Sequence, residues 1–177
     1  MTLLLRTIAL LGSAWIAALA TGAEVPEVPK EIAAPAGHKD VLAVRAKGVQ
    51  IYKSVADKDG KLVWVLDGPL AELTDVKGAR VGCHFEGPSW ETADGSRLVR
   101  DESEKPKSVA KGAADIPWLL IRVKSDDAKP GALTKVAYVQ RIETSGGKAP
   151  AEAPKRVGTK VGVPYEAKYV FFAPTEK

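Results

Sequence analysis

The feature that most limits the fold is the spacing of short β-prone runs, which recur between turns containing Gly, Pro or Asp. After the first two dozen residues, no segment shows a sustained 3.6-residue apolar repeat with helix caps, which is the pattern of an amphipathic helix. Runs rich in β-branched and aromatic residues are typical of strands. The sequence therefore predicts an all-β fold, a single antiparallel β-sandwich or barrel-like domain of short strands.

The clearest local pairing is predicted near the start of the β-rich region. Residues 41–44 and 49–52 are β-prone runs separated by Gly48, and a third run, residues 62–66, follows a polar turn at residues 57–61. A Gly-containing polar turn between two such runs is typical of a β-hairpin. We therefore expect the second and third runs to pair.

Two strong strands are predicted in the C-terminal half. In residues 118–124, successive side chains alternate between faces, so Leu119, Ile121 and Val123 should share one face. Residues 136–142 show a comparable pattern. Both segments should belong to the sheet that buries the core.

Two other segments have contrasting patterns. Residues 165–172 alternate apolar or aromatic residues with Glu166 and Lys168, which predicts a half-buried strand. Residues 100–112 are charged and carry no clear period, which predicts a long exposed loop.

The N-terminal region predicts export. Arg6 precedes an uncharged Leu/Ala-rich run that ends in small residues, so residues 1–23 are predicted to be a secretory signal peptide. The apolar run is shorter than the ~20 residues of a membrane-spanning helix, which disfavours the alternative of an uncleaved anchor. Residues 24–37 contain three prolines and are predicted to be an extended Pro-rich linker. Residues 38–177 would then form one β-rich domain, exported to the periplasm or secreted, with no stable membrane insertion after signal cleavage.

Composition narrows the classes of partner. The net charge is +4, and Lys and Arg are scattered among Asp and Glu, so no nucleic-acid partner is expected. Cys83 is the only cysteine, which excludes a disulfide within the chain. A lone cysteine in a strand is expected to act as a small buried hydrophobe, with catalytic or inter-chain use as the alternative.

Several segments, taken in order, resemble a known family. The resemblance rests on residues 46–52, 64–66, 84–96, 115–120, 138–150 and 163–169. Together they are similar to the domain of unknown function 3455 family of exported bacterial and fungal proteins, over about residues 35–172. The resemblance implies no activity, and the chain has no Gly-x-Gly-x-x-Gly turn that would indicate dinucleotide binding.

The chain departs from the family in its cysteines. The resemblance implies a cysteine after residues 50–52 and another after residues 146–150, whereas Lys53-Ser54 and residues 151–158 contain none. A cross-link expected in relatives is therefore missing here. We expect residues 148–161 to be looser as a result.

The densest group of polar and aromatic residues is His84, Glu86, Trp90 and Glu91. Histidine can act as a general base or a metal ligand, and a carboxylate can orient it. In an extended strand His84 and Glu86 would point to the same face. A metal site usually needs three or more ligands, so neither a metal nor another cofactor is predicted. The alternative is that His84 hydrogen-bonds a turn and Trp90 packs a loop.

A second group consists of polar residues inside predicted strands. Gln50, Tyr52, Gln140 and Arg141 should face an interior or a cleft and be paired there, because burying such groups without partners is costly. Arg141 and the Gly-rich turn at residues 144–147 are also candidates for holding an anion. The alternative is an internally paired arginine before a tight turn.

Three functions remain open at this point. The export signal, the β architecture and the small number of catalytic groups favour a non-catalytic module that binds an unknown small molecule or a partner of the cell envelope or secreted space. The candidate ligand-binding residues are His84, Glu86, Trp90, Gln50, Tyr52, Gln140 and Arg141. One alternative is a hydrolase or lyase that uses His84 with a nearby Glu, and the other is a structural or interaction protein.

Overall fold

A computed structural model describes residues 27–126 and 129–176. The predicted signal peptide, residues 1–23, lies outside the described residues. The described part of the chain contains no helix long and apolar enough to cross a membrane.

A single antiparallel sheet of nine strands accounts for most of the described chain. The strands are β1 (His38–Ala56), β2 (Leu62–Thr74), β3 (Arg80–Phe85), β4 (Ser89–Thr92), β5 (Arg97–Arg100), β6 (Lys107–Val109), β7 (Trp118–Ser125), β8 (Tyr138–Gly146) and β9 (Lys160–Pro174). Their order across the sheet is β5-β4-β3-β2-β1-β9-β8-β7-β6, and β5 also pairs with β7. All strands except β6 therefore form a closed ring, and the predicted all-β, antiparallel, barrel-like fold is confirmed.

Strand β7 closes the ring because two strands share one of its edges. β6 pairs with residues 118–120 of β7, and β5 pairs with residues 123–125. The opposite edge of β7 pairs with β8. Closure in this way covers edges that would otherwise offer unpaired backbone groups.

The larger hydrophobic cluster fills the interior of the barrel. The predicted face of β7 contributes to it, since Ile121 and Val123 are buried there and Leu119 packs against it. Leu133, from the loop between β7 and β8, is completely buried in the same cluster. That loop therefore fills one end of the barrel.

A smaller cluster lies on the outer side of β7 and β8. Trp118, Leu120, Tyr138 and Ile142 form it together with Ile32, which is completely buried. Ile32 ends a short 3-10 turn, Lys30–Ile32, within the segment predicted as a linker. Part of that segment therefore packs on the sheet, because its apolar residue covers apolar side chains there.

Strand β1 is longer than the sequence pattern predicted. The two runs expected around Gly48 form one continuous strand, and the predicted hairpin forms with a shifted register: residues 49–52 pair with residues 66–70, and the run at 62–66 pairs with residues 52–56. A methyl group at Gly48 would lie 2.1 Å from the carbonyl oxygen of Leu70. Glycine is therefore needed at this position for close approach of two strands, and not for a turn.

The segment predicted as a loop at residues 100–112 contains β6 and is tied down by ion pairs. Arg122 on β7 donates from Nε to Asp101 (3.0 Å) and from Nη1 to Glu104 (2.8 Å). These bonds hold the connection between β5 and β6 against the barrel. The charged side chains of this segment thus anchor it to β7.

The segment after β8 is attached to Ser54, next to the place where relatives are expected to carry a cysteine. The Ser54 hydroxyl donates to the carbonyl of Arg156. The Ser54 amide donates to Thr159 O (2.8 Å), and the Gly158 amide donates to Ser54 O (2.9 Å). In this chain, hydrogen bonds therefore connect the two regions that are expected to be cross-linked in relatives.

Candidate ligand cavity

A cavity of about 420 Å³ lies inside one end of the barrel. Every strand of the closed ring contributes at least one residue to its wall. The lining residues are Gln50, Leu66, Asp67, Gly68, Pro69, His84, Gly87, Pro88, Trp90, Arg100, Pro106, Leu119, Ile121, Arg141 and Tyr169. The volume falls in the range of small-molecule sites, roughly 300–1,000 Å³.

His84 is fixed in the wall of this cavity by its neighbours on β3 and β4. It faces Trp90 across the two strands, and the two rings stack with centroids 4.5 Å apart. Its Nδ1 lies 2.8 Å from Ser89 O. Because a carbonyl oxygen only accepts, Nδ1 must carry the hydrogen and Nε2 the lone pair.

The imidazole of His84 is held in its neutral form. Burial lowers the pKa of His84 to about 3, the bond to Ser89 opposes this shift, and the charge of Arg141 adds to it. A buried base loses its proton more readily because the charged form is poorly solvated. At neutral pH His84 therefore contributes an uncharged aromatic ring and a hydrogen-bond acceptor, Nε2, to the cavity wall.

Several buried polar atoms of the wall have no hydrogen bond of good geometry. Within the described chain this holds for Gln50 Nε2, Trp90 Nε1, Arg100 Nε and Tyr169 Oη, and for the hydroxyl of Tyr165 nearby. Weaker contacts link the Tyr169 hydroxyl to Tyr165 and Arg141, and Tyr165 to Gln50. Gln50, Trp90 and Tyr169 are each at least 98% buried. An unpartnered buried polar group costs about 1–3 kcal/mol, so this wall is poorly satisfied as it stands.

Two arginines give the wall its positive charge. Arg141 donates from Nε (3.2 Å) and Nη2 (2.9 Å) to Pro117 O, which fixes the guanidinium plane without using Nη1. Among the described residues, neither Arg100 nor Arg141 forms an ion pair with a carboxylate. Burial raises the pKa of Tyr169, and the charge of Arg141 opposes that shift.

Asp67 contributes the only carboxylate among the described residues that line the cavity. It accepts from Lys160 Nζ at 2.6 Å, and that hydrogen bond lowers the pKa of Asp67. Its charge is therefore already balanced on the protein's surface. The arginines deeper in the wall are not neutralised by it.

The cavity brings together four of the residues predicted from the sequence. Gln50, His84, Trp90 and Arg141 come from four different strands and line one space. Period-two alternation turns each of them to the inside of the ring.

The other predicted site residues lie elsewhere. The Tyr52 hydroxyl donates to Gly147 O (2.7 Å), away from the lining set. Gln140 is on the outer side of β8, where Nε2 donates to Ile32 O (2.7 Å). Glu86 is exposed in the turn after β3, which ends at Phe85, so it does not share a strand face with His84.

The predicted anion site at the Gly-rich turn uses its groups internally. The Gly146 amide donates to Asp115 Oδ1 (2.7 Å), and the Thr144 hydroxyl donates to Ile116 O (2.8 Å). Arg141 instead donates to Pro117 O and lines the cavity. Glu91 also faces away from the cavity, 4.0 Å from Arg97.

Arg100 and Tyr169 line the cavity but were not among the site residues predicted from the sequence. Tyr169 carried a usable signal, because its alternation within residues 165–172 places it on the buried face. The sequence around Arg100 gave no such signal, because Arg100 is the first residue of the segment predicted to be an exposed loop. Its place in the wall depends on the pairing of β5 with β7.

No group of three or more His, Cys, Asp or Glu side chains in the described residues is arranged to hold a metal ion. Cys83 lies half-buried on the outer side of β3, opposite Glu91. Burial and the charge of Glu91 raise the pKa of its thiol, which disfavours the reactive thiolate.

The fold and cavity describe a closed antiparallel barrel with a donor-rich interior. Residues 35–173 match the family described as "Protein of unknown function (DUF3455)", and the chain belongs to that family. The comparison with curated proteins gave no match, and the comparison with solved structures gave none either.

Proposed function

We propose that this protein is a non-catalytic binding module of the cell envelope or secreted space, and that the barrel cavity takes one small molecule. The observation that carries the proposal is the convergence on one cavity of buried Gln50, Trp90 and Tyr169, whose polar atoms have no hydrogen bond of good geometry. Sites for small molecules combine an apolar wall with a few placed polar groups. A ligand that pairs with these groups would remove their desolvation cost.

The hydrolase or lyase alternative has less support. It requires a carboxylate beside His84, whereas Glu86 is exposed in the turn and Glu91 faces outward. An imidazole with its pKa lowered to about 3 is also a weak general base near neutral pH. His84 is better suited to forming an aromatic wall with Trp90.

The test is a thermal-shift screen of the purified chain against sugars, organic acids, fatty acids, nucleotides and divalent metals. A ligand at a hundred times its Kd should add about 2.7 kcal/mol to the free energy of unfolding. A flat screen on a cooperatively folding sample would refute the proposal.

Two matched variants locate any ligand found by the screen. Gln50 and Gln140 are both buried, but Gln50 faces the cavity and Gln140 faces Ile32 outside the barrel. Gln50→Leu should change the stability of the free protein little, because the Gln50 amide nitrogen has no hydrogen bond of good geometry, and should reduce the ligand-induced shift. Gln140→Leu should lower the stability of the free protein and keep the shift. The reverse pattern would place the ligand elsewhere.

A further inference from the structure

We infer that the ligand is a small organic anion with an apolar body, whose negative group is held between Arg100 and Arg141. The inference rests on the proposed function, because it names the class of molecule that the barrel cavity binds. Two further observations support this class of ligand: the positive charge of the wall and the number of hydrogen-bond donors in it.

The charge balance of the wall favours an anion. Arg100 and Arg141 line the cavity without an ion pair in the described chain, and Asp67 is already paired with Lys160. Guanidinium groups remain charged at all ordinary pH values. A half-buried, unpaired guanidinium gains most from a carboxylate, which it binds through short, charge-assisted hydrogen bonds.

The wall atoms that have no hydrogen bond of good geometry are mainly donors. Arg100 Nε and Trp90 Nε1 can only donate, Gln50 Nε2 is an amide donor, and the Tyr169 hydroxyl can do either. An anionic oxygen accepts several hydrogen bonds at once. A neutral polyol would bring donors of its own, which this wall matches poorly.

The rest of the wall fits the body of the ligand. Leu119, Ile121, Pro69 and Pro88 are apolar, and Trp90 stands beside them with its aromatic ring. A cavity of about 420 Å³ is at the small end of the range for ligand sites. A short hydrocarbon chain or a single ring bearing one carboxylate fits both the apolar and the positively charged parts of the wall.

The experiment compares matched pairs of charged and neutral probes. Benzoate is titrated against benzamide, and hexanoate against hexanamide, by calorimetry at low and at physiological ionic strength. At least one carboxylate should bind about tenfold or more tightly than its amide, a difference of about 1.4 kcal/mol. Equal affinities of acid and amide would overturn the inference and leave the binding module standing.

Three arginine variants complete the design. Arg100→Met and Arg141→Met should each weaken carboxylate binding about tenfold or more, while Arg80→Met, at an exposed position on β3, should have no effect. Arg141→Lys guards against misfolding of Arg141→Met, since it keeps the charge but loses the forked geometry. Carboxylate binding that survives both Arg100→Met and Arg141→Lys would overturn the inference.

The experiments distinguish an error in the ligand class from an error in the proposed function. If the carboxylates do not bind but the screen finds a neutral ligand that Gln50→Leu weakens, the anion inference is wrong and the cavity remains the site. If the carboxylates do not bind and the screen is flat, the proposed function itself is wrong.

Discussion

Mild acid should destabilise the fold through His84. The ring is 98% buried, and its Nδ1–H donates to Ser89 O. Burial lowers the pKa of His84 from 6.5 to about 3. Between these values the unfolded chain binds a proton at His84 that the folded chain does not bind. The free energy of unfolding must therefore fall as the pH falls through this window.

The magnitude follows from the two pKa values. Each pH unit within the window costs ~1.4 kcal/mol, so the contribution of His84 between about pH 7 and about pH 5 is roughly 2 kcal/mol. Asp and Glu side chains are largely ionised across this range, because their ordinary pKa values lie near 4. The interval therefore separates His84 from most carboxylates.

The assay is urea unfolding at several pH values in this interval, followed by tryptophan fluorescence. His84→Asn keeps an N–H near Ser89 O and does not titrate, so its curve of stability against pH should be flatter than that of the wild-type protein by the amount above. His38→Asn, at a histidine outside the cavity, is the control and should keep the wild-type slope. Equal slopes for the wild type and His84→Asn would refute the reasoning.

Three further outcomes are expected. Trp90→Ala should lower the free energy of unfolding by about 3–5 kcal/mol, because it empties a fully buried site beside the cavity; a urea-measured loss under about 1 kcal/mol would contradict this packing role. Gly48→Ala should cost about 1–3 kcal/mol or prevent folding, since its methyl group would lie 2.1 Å from Leu70 O; an unchanged melting temperature would count against the observed strand approach. Asp94→Ala should speed hydrogen exchange at the Ala132 amide, which donates to Asp94 Oδ2 at 2.8 Å, and unchanged exchange would show that this bond does not hold the loop.

Local alternation was the part of the fold that could be predicted from the sequence. It assigned Leu119, Ile121 and Val123 to the core because period two is a local property of any strand. The same rule already separated Gln140 from Arg141, since adjacent residues of a strand face opposite sides. Placing both in one candidate site neglected that separation, and the structure puts one on each side of β8.

The site residues that the sequence did not predict depend on contacts between segments that are distant in the chain. Arg100 reaches the cavity only because β5 pairs with β7, and neither segment carries a local signal for that partner. The predicted placement of Glu86 beside His84 required β3 to continue past Phe85, where the strand ends. The turn at Gly87, with φ at +121°, ends the strand and leaves Glu86 at the surface.

The pairing of β1 with β9 affects how the chain can fold. Every pair in this ladder joins residues more than a hundred positions apart, from Lys53 with Lys160 to His38 with Pro174. β9 also follows all the other strands in the chain, so a growing polypeptide cannot complete the ring until β9 has been made. Such non-local pairing is associated with folding times of milliseconds to seconds. The growing polypeptide should therefore stay without a closed barrel until β9 has been synthesised, with one edge of β1 unpaired up to that point.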